Sequence, residues 1–124
     1  MFYLKRAYDE ASAKDGLRFL VDKLWPRGIK KTELALDGWL KDLAPSDELR
    51  RWFAHDARKW DEFRRRYFVE LDSCPEAWCQ IRDAARNHHV TLVYSAHDAE
   101  HNNAVALKEY LESHVGRKKR TSHA

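Results

Sequence analysis

The sequence predicts a single α/β domain over residues 1–116, a small, mostly parallel sheet flanked by helices. A basic tail over residues 117–124 follows, expected to be disordered. Three observations lead there. Short apolar runs at residues 2–8, 17–21 and 90–94 have strand character. Stretches with apolar residues at helical spacing separate the last two, an order that builds parallel sheets. And 124 residues is the length of one ordinary domain. A chain of that size buries about two-thirds of its unfolded surface in one core.

Each element has its own signal. In residues 2–8, Phe2, Leu4 and Arg6 alternate with Tyr3, Lys5 and Ala7, and the polar run Asp9 to Gly16 forms a turn. Leu17 to Val21 is largely apolar, as a strand covered on both faces must be. Pro26 and Gly28 then punctuate a loop. Residues 33–43 carry Leu36, Trp39, Leu40 and Leu43 at helical spacing, although the segment is short and stops at Pro45. Ser46 is placed to cap a helix bearing Leu49, Trp52 and Phe53, with Asp47 and Glu48 at the positive end of its dipole. Asp56 is placed to cap the next, whose stripe is Trp60, Phe63, Tyr67 and Leu71. Pro75 suits the first turn of another, with Trp78, Ile81 and Ala85 inward. Val90 to Tyr94 is the clearest strand. A polar loop, Ser95 to Glu100, leads into a final helix from about residue 101, with Gly116 as its cap.

Composition narrows the function classes. The net charge is +3, but Arg117 to Arg120 supply four positive charges in a row. Without them, 19 of the 23 basic residues face 20 acidic ones, which argues against a dedicated nucleic-acid domain. Cys74 and Cys79 are too few for a disulfide framework or a four-cysteine zinc site, and read as reduced thiols. Met1 to Glu10 lacks a signal-peptide core, and no run reaches the ~20 apolar residues of a membrane span. A cytoplasmic protein without a membrane partner is therefore expected. No G-x-S-x-G, P-loop, G-x-G-x-x-G or H-E-x-x-H pattern names a reaction or a cofactor.

Two polar segments stand out because each follows a strand: Asp22 to Arg27 and Tyr94 to Asn103. Ligands of open parallel sheets collect beyond the carboxyl ends of the strands, so parallel strands would bring both segments to one rim. Arg27, on a stiff turn between Pro26 and Gly28, suits a bidentate grip on carboxylate or phosphate. A salt bridge from Asp22 to Arg27 is the competing structural reading. Tyr94, Ser95, Asp98, Asn102 and Asn103 are the remaining ligand-contact candidates, because a strand-to-helix turn presents unpaired N–H groups to anions. The competing reading is a helix start capped by Asp98 with nothing bound. His101 and His55 are the acid–base candidates; His55-Asp56 also reads as a plain interhelical turn. His97 and His101 stand four apart, but with no third ligand nearby no metal site is expected. Arg64 to Arg66 read as a solvated ionic face.

The same residues carry a resemblance. Val21 to Gly28, Ala35 to Ser46, Leu49 to Asp56 and Leu92 to Ala104 form four ordered blocks similar to those of the YeaO-like family. The likeness runs from Lys5 to Leu111, and it implies a bacterial cytosolic protein of α/β fold while implying no reaction. Lys23 stands where arginine is usual, Gly38 where an acidic residue is common, and His97 where lysine is usual. The functional expectation is a small anionic ligand (phosphate, nucleotide or carboxylate metabolite) at the sheet edge, bound for catalysis or otherwise. A non-enzymatic regulatory module or a nucleic-acid binder is the alternative.

Overall fold

A computed structural model describes the backbone of residues 2–121 and the side chains of residues 2–115. Four strands are present among them: β1 (Phe2–Arg6), β2 (Leu17–Leu20), β3 (Gly38–Trp39) and β4 (Val90–Tyr94). The helices are α1 (Lys31–Leu34), α2 (Asp47–Phe53), α3 (Trp60–Asp72), α4 (Pro75–Ala84) and α5 (Asn103–Thr121). Short 3-10 turns occur at Ala13–Asp15, Lys41–Leu43 and Ala57–Lys59. The strands form one sheet in the order β1-β4-β2-β3, and every neighbouring pair is parallel. The predicted single-domain α/β fold is what the chain adopts. None of the described helices is long and apolar enough to cross a membrane.

The central strand β4 is buried at all five positions, which is why its sequence, VTLVY, shows no polar face. Its threonine hydroxyl, on Thr91, donates to the carbonyl of Asp15 at 2.7 Å. Strand alternation sorts the sheet's two faces. Phe2, Val90, Leu92 and Val21 join the main core beneath α2 to α5. Ala7, Leu20 and Val93 point the other way, under Leu34 with Trp25, Ile29, Leu36 and Trp39. That second face is thus covered by one short helix and the irregular chain around it.

The helices expected from Ser46 to Ala84 form, except that Asp56 caps the 3-10 turn Ala57–Lys59 and α3 itself starts after Lys59 without a side-chain cap. Ser46 caps α2, its hydroxyl accepting from the Leu49 N–H at 3.1 Å. Glu70 of α3 accepts from both Ser46 N–H (2.9 Å) and Oγ (2.6 Å), fastening that cap to the neighbouring helix. Phe63, Tyr67 and Leu71 line the buried face of α3. The Tyr67 hydroxyl donates to the Leu43 carbonyl, and burial lifts its pKa well above the usual 10, so it remains a neutral donor. Pro75 opens α4. Arg64, Arg65 and Arg66 all pair with carboxylates on α3 or α5.

Residues 33–43 do not form the helical stripe that Leu36, Trp39, Leu40 and Leu43 suggest. The chain breaks after α1 at Ala35, which is left-handed at φ 52°. It then runs as edge strand β3 beside β2. Asp37 pins it there: its carboxylate accepts from Arg18 N–H (2.8 Å) while its own N–H donates to the Arg18 carbonyl (2.7 Å). Gly38 fits this close pairing, because a Cβ there would stand 3.1 Å from the Phe19 ring. One backbone bond and one backbone-to-carboxylate bond, with the ladder to β2, outweigh a weak helical preference over so few residues. At the other end, α5 continues through Gly116 to Thr121 instead of stopping at a glycine cap. The expectation of a disordered tail over 117–124 reaches residues 122–124, which lie outside the described set.

Beneath the sheet's opposite rim lies a buried cation. Arg18 is 4% exposed. It donates to Asp15 at 2.5 Å, to Ala35 O at 3.1 Å and to Leu34 O at 3.0 Å, and Lys5 shares the carboxylate at 3.1 Å. Burial alone would raise the Asp15 pKa, but the Ser12 N–H, Lys5 and Arg18 together hold it below 3.8. A carboxyl depressed on folding stabilises the fold above its unfolded pKa, and that contribution fades as pH falls through the folded value. Asp15→Asn should therefore cost about 3 kcal/mol at pH 7 by leaving Arg18 without its counter-charge. In urea unfolding, the gap to the wild type should narrow below about pH 4.

Candidate functional site

Because β2 and β4 pair in parallel with Leu20 opposite Val93, both chains leave the sheet at one rim. β1 ends there too, with Arg6 opposite Tyr94. The exits are bound to one another. The Asp22 carboxylate accepts from Ser95 N–H (2.9 Å) and Ser95 Oγ (2.8 Å). Asn103 donates its amide to the Val21 carbonyl at 3.0 Å. Arg6 donates to the carbonyls of Ala96 (2.9 Å) and Ser95 (3.2 Å) and lies over the Tyr8 ring at 4.8 Å. The Tyr8 hydroxyl in turn donates to Arg27 O at 2.9 Å.

Above this stitched rim opens a cleft of about 950 Å³, whose other wall is the Ala44–Pro45 turn and the last turn of α2. Of the sequence-predicted residues, Asp22, Arg27, His55, Ser95, Asp98, Asn102 and Asn103 line it. Tyr94 and His101 do not. Tyr94 is buried in the main core, and that burial raises its hydroxyl pKa. His101 packs its ring edge-on to Trp60 at 5.4 Å and is held by Asp98 through Nδ1 at 2.9 Å. His55 is exposed at the cleft margin and lies in a left-handed pair with Ala54, at φ 59° and 45°.

Several candidates already have structural partners. The Asp22–Arg27 ion pair, the competing reading, is not formed, since Asp22 faces Ser95. Asp98 does not cap α5. It closes the preceding turn, accepting from Glu100 N–H (2.9 Å) and His101 N–H (3.0 Å). Those bonds, the Glu100 N–H first and then His101, lower its pKa below 3.8. The α5 cap is Asn102, 2% exposed, whose Oδ1 accepts from Val105 N–H at 2.9 Å and whose amide donates to Asp98 O at 2.8 Å. Both asparagines are occupied by the fold.

The cationic lining is richer than the sequence suggested. Arg6, Lys23, Arg50 and Arg51 join Arg27 on the cleft wall. Arg6 was findable, since it ends a parallel strand and must reach the same rim. Arg50 and Arg51 gave no such signal, because nothing in the sequence orients α2 toward the sheet edge. Lys23 (3.0 Å) and Arg50 (2.8 Å) share Asp47, and hydrogen bonds from Arg50 and Lys23 pull its pKa down to about 2. The Nε of Arg50 is buried without a partner. Among the described residues Arg27 and Arg51 form no ion pair. The apolar part of the wall includes Leu24, Pro26, Pro45 and Phe53.

Among the described residues no three His, Cys, Asp or Glu side chains gather to hold a metal. Cys74 and Cys79 are half-buried free thiols away from the cleft, and burial raises the Cys74 pKa.

A family profile described as "Inactive DUF488-N3 subclade" matches residues 1–124. The uncharacterised protein YeaO of Escherichia coli K12 is 45% identical over 109 residues, 88% of this chain and 95% of its own. The uncharacterised protein Rv3073c of Mycobacterium tuberculosis H37Rv is 37% identical over 106 residues, covering 86% and 89% respectively. No solved structure matches.

The rim bonds give the first test of the site's architecture. Asp22→Ala removes both contacts to Ser95 and should lower stability by about 2 kcal/mol, against about 1 for Ser95→Ala. Amide hydrogen exchange should quicken in residues 22–28 and 95–98 of the Asp22 variant, while β4 stays protected.

Proposed function

The chain belongs to the DUF488-N3 family, in the subclade described as inactive, and from that premise we propose that its cleft binds a small anionic ligand without turning it over. One observation carries the reading. Five cations line the cleft against two carboxylates, and those two, Asp22 and Asp98, are already hydrogen-bonded to protein. The surplus is concentrated in a body whose charge, apart from Arg117 to Arg120, is nearly balanced. Arg27 and Arg51, from opposite walls, are the guanidiniums left to grip an anion. Arg27 sits on a turn set by Pro26 and by Gly28 at φ 84°, so little backbone freedom is lost when it binds, although its exposed side chain must still be ordered.

Binding without turnover is favoured by the family's description and by the fate of the polar candidates. Among the described residues no cysteine lines the cleft. Ser95 donates its hydroxyl proton to Asp22, which is already anchored to the same residue's N–H. His101 is held outside the lining by Asp98 and Trp60. His55 remains as a cleft-edge side chain able to add a third N–H donor to an anion.

Titration calorimetry and thermal melting with inorganic phosphate, at constant ionic strength, test the proposal. Phosphate should raise the wild-type Tm in a saturable way. Arg27→Ala and Arg51→Ala should each weaken that response about tenfold, as loss of a charge-assisted bond implies. Arg65→Ala, on the exposed face of α3, should leave it unchanged. Equal responses in all four proteins would show that the effect is general to the surface and overturn the reading.

A further inference from the structure

The cleft also carries information about the rest of its ligand. Its volume, about 950 Å³, lies at the upper end of the ~300–1,000 Å³ range of pockets that enclose whole drug-sized molecules. A bare phosphate or acetate would leave most of it filled with water. Each wall, moreover, sets cations next to apolar surface. The β2–α1 loop supplies Lys23 and Arg27 around Leu24, Trp25 and Pro26. The last turn of α2 supplies Arg50 and Arg51 beside Phe53.

The character of that apolar surface is specific. Leu24 is 66% exposed, a large aliphatic side chain held in water at the margin of a cationic site. Phe53, 5% exposed, stacks on Phe63 with centroids 4.3 Å apart, so a small part of a rigid aromatic pair reaches the cleft. The polar edge of Trp25 is occupied, its Nε1 donating to Ile29 O at 2.6 Å, so the indole offers the cleft mainly its ring. The amides of Asn102 and Asn103 and the hydroxyl of Ser95 are likewise occupied. A ligand body rich in hydroxyls would therefore find few partners on this wall, and burying unpaired hydroxyls is unfavourable. A flat ring system would not meet that obstacle. At the head, two unpaired guanidiniums, with the Lys23–Asp47–Arg50 cluster adding about one net positive charge, suit a group of charge near −2, which a phosphomonoester carries and a single carboxylate does not.

We propose that the natural ligand is a phosphomonoester with an aromatic ring body, its phosphate held by Arg27 and Arg51 and its ring laid against Leu24 and Phe53. This rests on the anion-binding reading above and narrows it to a substrate class.

Calorimetry with four probe sets decides it: the four nucleoside 5′-monophosphates and phenyl phosphate, ribose 5-phosphate, inorganic phosphate, and adenosine. At least one aromatic ester should bind about tenfold more tightly than ribose 5-phosphate, the difference expected of one ring stacked on protein. Leu24→Ser, a substitution at a solvent-exposed position, should weaken that ester several-fold while leaving inorganic phosphate and the ligand-free Tm unchanged. Ribose 5-phosphate binding as tightly as every aromatic ester would overturn this inference and leave the anion site standing. So would a Leu24→Ser protein that binds the ester as the wild type does. If no phosphate compound binds, or adenosine binds as well as its monophosphate, the anion-binding reading itself falls and this inference with it.

Discussion

Parallel pairing of β2 with β4 is the constraint on which the rest of the molecule depends. Once Leu20 is set opposite Val93, the two chains leave the sheet side by side and must pack against each other. Such a rim poses a problem, because the backbone groups just past the last ladder bonds have lost their strand partners while still part-buried. Side chains solve it. Asp22 takes the Ser95 N–H, Asn103 takes the Val21 carbonyl, Arg6 takes the carbonyls of Ser95 and Ala96, and Trp39 Nε1 takes the Asp22 carbonyl at 2.7 Å. Much of the polarity that marks the rim in the sequence is therefore scaffolding. Removing it would disturb the cleft by moving its walls.

What remains after that scaffolding is set aside is positive charge over an apolar floor. The two properties act together. Phe53 and the two prolines supply the apolar lining, while Leu24, Arg27 and Arg51 are exposed at the cleft, where a soluble anion can reach them. Asp47 tempers one side of the cleft by holding Lys23 and Arg50, and because its pKa is pulled down to about 2 it does so at any ordinary pH. The exposed face of α3 shows the opposite arrangement. On α3, each arginine of the Arg64 to Arg66 run has a carboxylate at hand, leaving that surface little net attraction for anions.

How legible this was in the sequence depended on whether a signal was local. The cap at Ser46, the Phe63–Tyr67–Leu71 stripe, Pro75 at a helix start and the apolar run Val90–Tyr94 are local, and the chain follows them, while Asp56 caps the 3-10 turn ahead of α3 in place of α3 itself. Strand order followed from the alternation of strands and helices only as far as "mostly parallel". The edge strand Gly38–Trp39 was hidden, since its stabilisation comes from Asp37 and Arg18 bonds that span nineteen residues. In the same way the rim was predictable from strand direction, whereas the opposite wall was not. Arg50 and Arg51 come to the cleft because Ser46 is fastened to Glu70 of α3, a contact across 24 residues that no periodicity encodes.

The two histidines show why a polar cluster in sequence and a site in space diverge. His101 stands amid the most polar stretch of the chain, yet the turn that Asp98 closes rotates its ring toward Trp60, and the position nearest the α5 dipole goes to Asn102. His55 has a far weaker sequence context, beside a capping aspartate. It reaches the cleft because Ala54 and His55 both adopt left-handed backbone, a conformation costing roughly 1–2 kcal/mol per non-glycine residue. Ala54 is the left-handed C-cap that ends α2, its N–H donating to the Arg50 carbonyl, and His55 follows in the same backbone region. The residue from the strained turn lines the cleft, and the one from the polar loop packs against Trp60.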